Sequence, residues 1–225
     1  MSRETVVKTY SGISQIWYLC IRKCLTTVMI SVCGVRASGR KHIPESGPTL
    51  LVSNHASYYD TIALGVVQNR MIDFMARSGL FIPVLGHFIR SMGAFPIQRD
   101  GGGAAGIKET LKRLKSAHLI GLFPEGTRTG DGHLQPLRPG IASIARKSSS
   151  SIQCAGISGA FEAWPRWQPW PGAYQIHVHY VSTLKPDILK NMTEEQILEQ
   201  MQAQLQEALG IAQKETARLR DYQLF

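Results

Sequence analysis

Two short constellations in this 225-residue chain hold residue types able to do chemistry. The first is Asn54-His55-Ala56-Ser57-Tyr58-Tyr59-Asp60. A carboxylate on one imidazole nitrogen fixes the tautomer, and the other nitrogen can then accept a proton. On a continuous helix, positions five apart differ by about 140°, so His55 and Asp60 meet only if His55 lies in the loop before a helix. A plainer account has Ser57 capping that helix and Asp60 answering three residues later, which leaves His55 without a role. The second constellation is Phe123-Pro124-Glu125-Gly126-Thr127-Arg128. Read plainly, it is a tight turn with Pro at the second place and Gly at the fourth, Glu125 and Arg128 being solvated. Read as a site, Arg128 offers a planar fork for phosphate while Glu125 holds a cation or hydroxyl. A third stretch, Gly93-Ala94-Phe95-Pro96-Ile97-Gln98-Arg99, adds another guanidinium.

The pattern around these stretches alternates. Short apolar runs at 49–53, 72–76, 94–97, 118–123, 152–157 and 174–181 read as strands, and 60–68, 80–91, 104–116 and 140–147 read as helices. Alternation of that kind implies an α/β fold with a largely parallel sheet flanked by helices. All three constellations then fall at strand exits, where open α/β sheets place their ligands. Thr193-Glu194-Glu195-Gln196 has a capping-box pattern and opens a long amphipathic C-terminal helix. The stretch 161–172, with three Trp and three Pro, reads as an irregular loop whose rings could cover an apolar opening.

The net charge of +9 is uneven: +5 over 1–40, +4 over 41–140, +3 over 141–190 and −3 over 191–225. Most of the chain favours an anionic partner. Nucleic acid fits poorly, because the main basic helix, with Lys108, Lys112 and Lys115, lacks interleaved aromatic residues. Cys20, Cys24, Cys33 and Cys154 have no partner spacing, which predicts buried reduced thiols and no metal site. Residues 9–21 and 24–35 are uncharged runs broken by Arg22 and Lys23, each shorter than a spanning helix. They predict one or two retained helices lying in a membrane interface or packed on the core. The expected divisions are 1–40 as an N-terminal helical membrane-association segment, 41–190 as the α/β domain and 191–225 as the C-terminal helix.

NHASYYD resembles the NHxxxxD signature of the glycerolipid acyltransferases of the 1-acylglycerol-3-phosphate type. FPEGTR resembles their block of the same letters, and GAFPIQR resembles the glycine-to-arginine block between them. The three stand in family order, and the likeness covers about residues 40 to 190. It implies His55 as general base, Asp60 as its orienter, and Arg99 on the acceptor's phosphate, with Glu125, Gly126, Thr127 and Arg128 completing that site. It also implies direct transfer from an acyl-CoA or acyl-carrier-protein thioester to the hydroxyl of a lysophospholipid, without a cofactor or an enzyme nucleophile. The simplest product is phosphatidic acid. The partners implied are a phospholipid membrane, the lysophospholipid and an acyl carrier protein, with a location on the cytoplasmic face of the membrane. The chain departs from the family at 152–157, which has no proline where a block tied to pocket shape usually carries one. Glycerol 3-phosphate or a lyso-aminolipid is the competing acceptor, and a non-catalytic basic membrane-binding module is the competing class of function.

Overall fold

The computed structural model describes residues 15–97 and 103–221. Arg99 therefore lies outside the described residues, as do residues 1–14 of the expected N-terminal segment and residues 222–225 of the expected C-terminal segment. In chain order the elements are α1 (Gln15–Cys33), β1 (Arg36–Ser38), β2 (Thr49–Ser53), α2 (Tyr59–Val67), β3 (Ile72–Arg77), α3 (Pro83–Ser91), β4 (Phe95–Ile97) and α4 (Gly103–Lys115). They continue as β5 (Leu119–Leu122), α5 (Gly140–Ser148), β6 (Ser151–Ser158), α6 (Ala160–Ala163), β7 (His177–Tyr180), α7 (Pro186–Leu189) and α8 (Glu194–Asp221).

Among the described residues, seven strands form one sheet in the order β1-β7-β6-β2-β5-β3-β4. Every neighbouring pair is parallel except β6 with β7. A parallel return needs a crossover of a dozen or more residues, usually helical. After β6 the chain forms only the four-residue α6 and an irregular loop, so β7 comes back antiparallel. Strand β1 is unannounced by the sequence, because three residues with Arg36 exposed carry no usable alternation.

Strand β2 is central and buried along its whole length. Its side chains alternate between two cores, as the strand period of two requires. Leu50 and Val52 face one core with Ile120, Ile152, Leu114, Ile144 and Met201. Leu51 faces the other with Phe74, Ile157, Val178, Leu64 and Met29. Helices α4, α5 and α8 thus cover one face of the sheet, and α1 and α2 cover the other.

Helix α8 runs 28 residues and lies on β6 and β7 as part of the domain. Its capping box is closed on both sides. The Thr193 amide donates to Gln196 Oε1 at 2.9 Å, and the Gln196 amide donates to Thr193 Oγ1 at 3.2 Å. Gly156 on β6 permits the contact, since a Cβ there would overlap the backbone of Ala208 and Leu209.

Helix α1 is the single-helix form of the expected one or two, and it corrects only the expectation that Arg22 and Lys23 leave runs too short to span. Among the described residues the two runs are continuous through Arg22 and Lys23 in one 19-residue helix, about 28 Å long at 1.5 Å per residue. The stretch Ile16–Cys33 is long and apolar enough to cross a membrane by length and composition. Leu25, Met29 and Cys33 pack on the core, while Ile16, Leu19, Val28, Ile30 and Val32 are exposed. The thiols split the same way. Cys33 and Cys154 are buried as expected, but Cys20 and Cys24 are exposed, because each sits five places, about 140°, before an inward-facing residue.

Candidate active site

Strands β2, β5 and β6 are parallel neighbours, so their C-terminal ends share one edge of the sheet. His55 follows β2, and the turn Phe123–Gly126 follows β5 on that same edge. Asn54 locks the exit of β2 to β6. Its side chain donates to the Ile157 carbonyl at 2.9 Å and accepts from the Ile157 amide at 2.8 Å. The next residue, His55, is thereby placed by the sheet itself.

The contacts of both sequence accounts of 54–60 are present at once, through one oxygen. Asp60 Oδ2 accepts from the amides of Ala56 and Ser57, each at 2.7 Å, while Ser57 Oγ accepts from the Tyr59 amide at 3.0 Å. That reciprocal cap starts α2 just after the loop, and His55 stays in the loop. The same Oδ2 lies 2.9 Å from His55 Nδ1. Asp60 is fully buried, and its Oδ1 has no hydrogen-bond partner. A carboxylate in this position accepts a hydrogen bond from Nδ1–H, which keeps the proton on Nδ1 and leaves the free lone pair on Nε2. The imidazole is further held by stacking on Phe123, with ring centroids 4.0 Å apart and an interplanar angle of 15°.

Glu125 is placed differently from the sequence expectation of a group facing ligand. Its Oε1 accepts the His55 amide at 2.6 Å and its Oε2 accepts the Gln135 amide at 2.9 Å. The Thr129 amide in turn donates to the His55 carbonyl at 2.8 Å. Glu125 therefore ties the two constellations together. Burial pushes its carboxyl up to about 7, against the two backbone donors, which pull it down.

The turn forms as its residues dictate, with the Gly126 amide donating to the Phe123 carbonyl at 3.0 Å. Gly126 has φ +75°, and a Cβ there would overlap the Arg138 guanidinium. Gly126, Thr127 and Arg128 then line a cavity of about 650 Å³ together with His55. Arg128 is stacked over Tyr58 at 3.5 Å, and its Nη1 is buried without a hydrogen-bond partner.

The rest of the cavity wall is apolar, with Ile62, Val66, Phe74, Met75, Met92 and Ile97 among its residues. Arg22 of α1, Arg77 of β3 and Arg166 also reach it, and no carboxylate does among the described residues. The sequence pointed to none of these three cations, nor to Tyr58, as part of the site. The available signal was weak, since a lone arginine in a loop or at a strand end reads as solvated surface.

The Trp- and Pro-rich loop does not act as a cover of rings. Trp164 packs against Tyr58 and Tyr59 at 4.9 and 5.3 Å, and its carbonyl accepts from Ser57 Oγ at 2.8 Å. Trp167 and Trp170 are exposed, and only Arg166 of the loop lines the cavity. His177 and His179 lie apart from the site and grip Ser38 Oγ at 2.8 and 2.7 Å, which fastens β1 to β7.

A protein-family model described as Acyltransferase matches residues 34–158, from just before β1 to the end of β6. The chain belongs to the acyltransferase family. The matched span holds both constellations and excludes α1, the Trp-rich loop and α8. Among relatives of this acyltransferase, the 1-acyl-sn-glycerol-3-phosphate acyltransferase of Bacillus subtilis is 31% identical over 128 residues, which is 56% of this chain and 63% of the relative. A chloroplastic 1-acyl-sn-glycerol-3-phosphate acyltransferase of Arabidopsis thaliana is 27% identical over 175 residues, which is 74% of this chain and 49% of the relative. The chain thus spans about half to two-thirds of the length of these curated relatives. The crystal structure of the 1-acyl-sn-glycerophosphate acyltransferase of Thermotoga maritima superposes with a TM-score of 0.74 at 19% identity, over 91% of this chain and 80% of that one. That likeness establishes the fold: a mostly parallel sheet flanked by helices, with an apolar helix before it and a long helix after it.

Proposed function

We propose that this acyltransferase moves a fatty acyl group from a thioester to the free hydroxyl of a lysophospholipid, converting 1-acylglycerol 3-phosphate to phosphatidic acid. One arrangement carries the reading: an imidazole set by a buried carboxylate lines an apolar cavity that holds several guanidiniums and, among the described residues, no carboxylate. The apolar wall suits acyl chains. A phosphomonoester suits Arg128, whose fork is braced on Tyr58 and has an unused donor. Arg166 stands beside it, its Nη1 3.5 Å from the Arg128 carbonyl.

In the reaction, His55 Nε2 takes the acceptor's hydroxyl proton as that oxygen forms a bond to the thioester carbonyl carbon. The carbonyl π electrons move onto oxygen to give a tetrahedral oxyanion, and Asp60 stabilises the imidazolium formed beside it. Collapse breaks the C–S bond, and the imidazolium returns its proton to the departing thiolate. The thioester, on CoA or an acyl carrier protein, is activated enough that no covalent enzyme intermediate is needed. Cys154 supports this reading, since burial pushes its thiol up to about 12 and keeps it from acting as a nucleophile. The acceptor resides in lipid, so the outward apolar face of α1 rests on the cytoplasmic surface of a phospholipid membrane.

The test offers purified protein lysophosphatidate, glycerol 3-phosphate and a lyso-aminolipid with each donor type, and identifies products by mass. Acylation of lysophosphatidate is expected, and its loss in a folded His55→Ala variant. Transfer to another acceptor alone, or turnover surviving in His55→Ala, would overturn the reading.

A further inference from the structure

Residues 80–88 hold a second concentration of exposed apolar side chains away from α1. Leu80, Ile82, Val84, Leu85 and Phe88 are exposed, Val84 by 86%. Five large apolar residues open to solvent within nine positions form a patch of the kind that marks an interaction surface.

This patch is built as a firm knob. Pro83 sits at the first turn of α3, and the Gly86 amide donates to the Ile82 carbonyl at 2.7 Å. Gly86 is buried against the backbone of Phe81, where a Cβ would approach Phe81 Cα to 2.8 Å. The Arg90 guanidinium covers the Phe81 ring at 4.5 Å. The preceding turn is therefore folded tightly onto the helix, and Ile82, Val84 and Leu85 are held outward at its tip.

Its neighbours indicate what the knob meets. Trp17 of α1 donates to Ser91 Oγ at the end of α3 at 3.1 Å, so the two apolar surfaces adjoin. Tyr18, Arg22 and Leu25 of α1 and Leu80 and Phe88 of the knob line the same cavity. The stretch 77–91 contains Arg77, Arg90 and His87 and no carboxylate, while α1 contains Arg22 and Lys23 and no carboxylate. An apolar surface edged only by cations complements the acyl region and the phosphates of an anionic bilayer. A second copy docking its own knob about a two-fold axis would bring like charges together, which disfavours that occupant.

We infer that the knob of residues 80–88 inserts into the anionic phospholipid bilayer as a second contact beside α1, and that lysolipid passes from the bilayer into the cavity between these two elements. This extends the membrane reading of α1 and rests on it for the orientation of the domain.

The test measures partitioning of the full chain onto mixed phosphatidylcholine–phosphatidylglycerol vesicles, comparing it with the Ile82→Ser/Val84→Ser double variant. Neither position lines the cavity, and serine leaves the charge unchanged, so lost binding reports lost apolar insertion. The expected result is a fall in the partition coefficient of about tenfold or more, the scale for withdrawing two aliphatic side chains from an apolar phase. Turnover on a short-chain lysophosphatidate dissolved without vesicles stays unchanged. An unchanged partition coefficient overturns the inference. If Ile16→Ser/Leu19→Ser then abolishes binding, α1 acts alone and the membrane reading stands; if it does not, both fail. Unchanged partitioning with conversion of a dimer to a monomer in sedimentation identifies a second copy as the occupant. Unchanged partitioning without such conversion means that the knob meets neither a bilayer nor a second copy.

Discussion

Replacing Asp60 with Asn changes one atom and separates two jobs carried by the same side chain. Three donors converge on Oδ2: His55 Nδ1 at 2.9 Å and the amides of Ala56 and Ser57 at 2.7 Å. An Asn can keep its carbonyl oxygen there, but its NH2 then occupies the buried Oδ1 position, which has no partner. That orphaned donor costs about 1–3 kcal/mol of stability, enough to lower the melting temperature by several degrees without unfolding the chain. The catalytic loss is larger. A carboxylate 2.9 Å from an imidazolium interacts by about 6 kcal/mol at an effective dielectric of about 20, which sets a ceiling of roughly 10⁴ in rate. A fall in kcat of about 10²- to 10⁴-fold with little change in KM is expected. The assay uses a short-chain lysophosphatidate below its aggregation concentration, with circular dichroism to monitor folding. A folded Asp60→Asn enzyme with kcat within a factor of ten of the original would refute the assignment of Asp60 as orienter.

Arg128→Ala removes the braced guanidinium at the cavity and raises KM for lysophosphatidate by about 10- to 100-fold, more than it lowers kcat; an unchanged KM argues against the phosphate role. Glu125 gives a pH signature, because its folded-state pKa is raised from 4.5 to about 7 by burial. Between these two values the folded chain binds more protons than the unfolded one, so stability falls as pH rises, by up to about 3 kcal/mol. Melting temperatures measured from acid to neutral pH fall less steeply in Glu125→Gln, and an identical slope refutes the shift. Gly156→Val forces β6 from the α8 backbone and costs about 2 kcal/mol or more, read as a lower urea midpoint.

The parts of the fold legible in the sequence are those with strong local signals. Strand β2 is five buried residues bounded by turn formers, and Thr193 with Gln196 marks the start of α8. The pairing of His55 with Asp60 was legible as one of two accounts of that stretch, and the resemblance of NHASYYD to a family signature pointed to it. What stayed hidden depends on partners distant in the chain. Strand β1 exists because β7 offers it an edge, and β7 runs antiparallel because α6 is too short to carry the chain across the sheet. Glu125 looked like a ligand-facing acid because its two amide donors lie 70 and 10 residues away. Arg166 reaches the cavity only through the path of the loop after α6. Arg22 and Lys23 made the N-terminal apolar stretch look interrupted, although a helix continues through both and keeps its apolar face outward.

The double duty of Asp60 Oδ2 also bears on heat inactivation. The first turn of α2 and the orientation of the imidazole are held by the same atom, so fraying of that turn releases the base while the sheet and its two cores remain intact. Inactivation on heating then follows a local opening and precedes the cooperative melt of the domain.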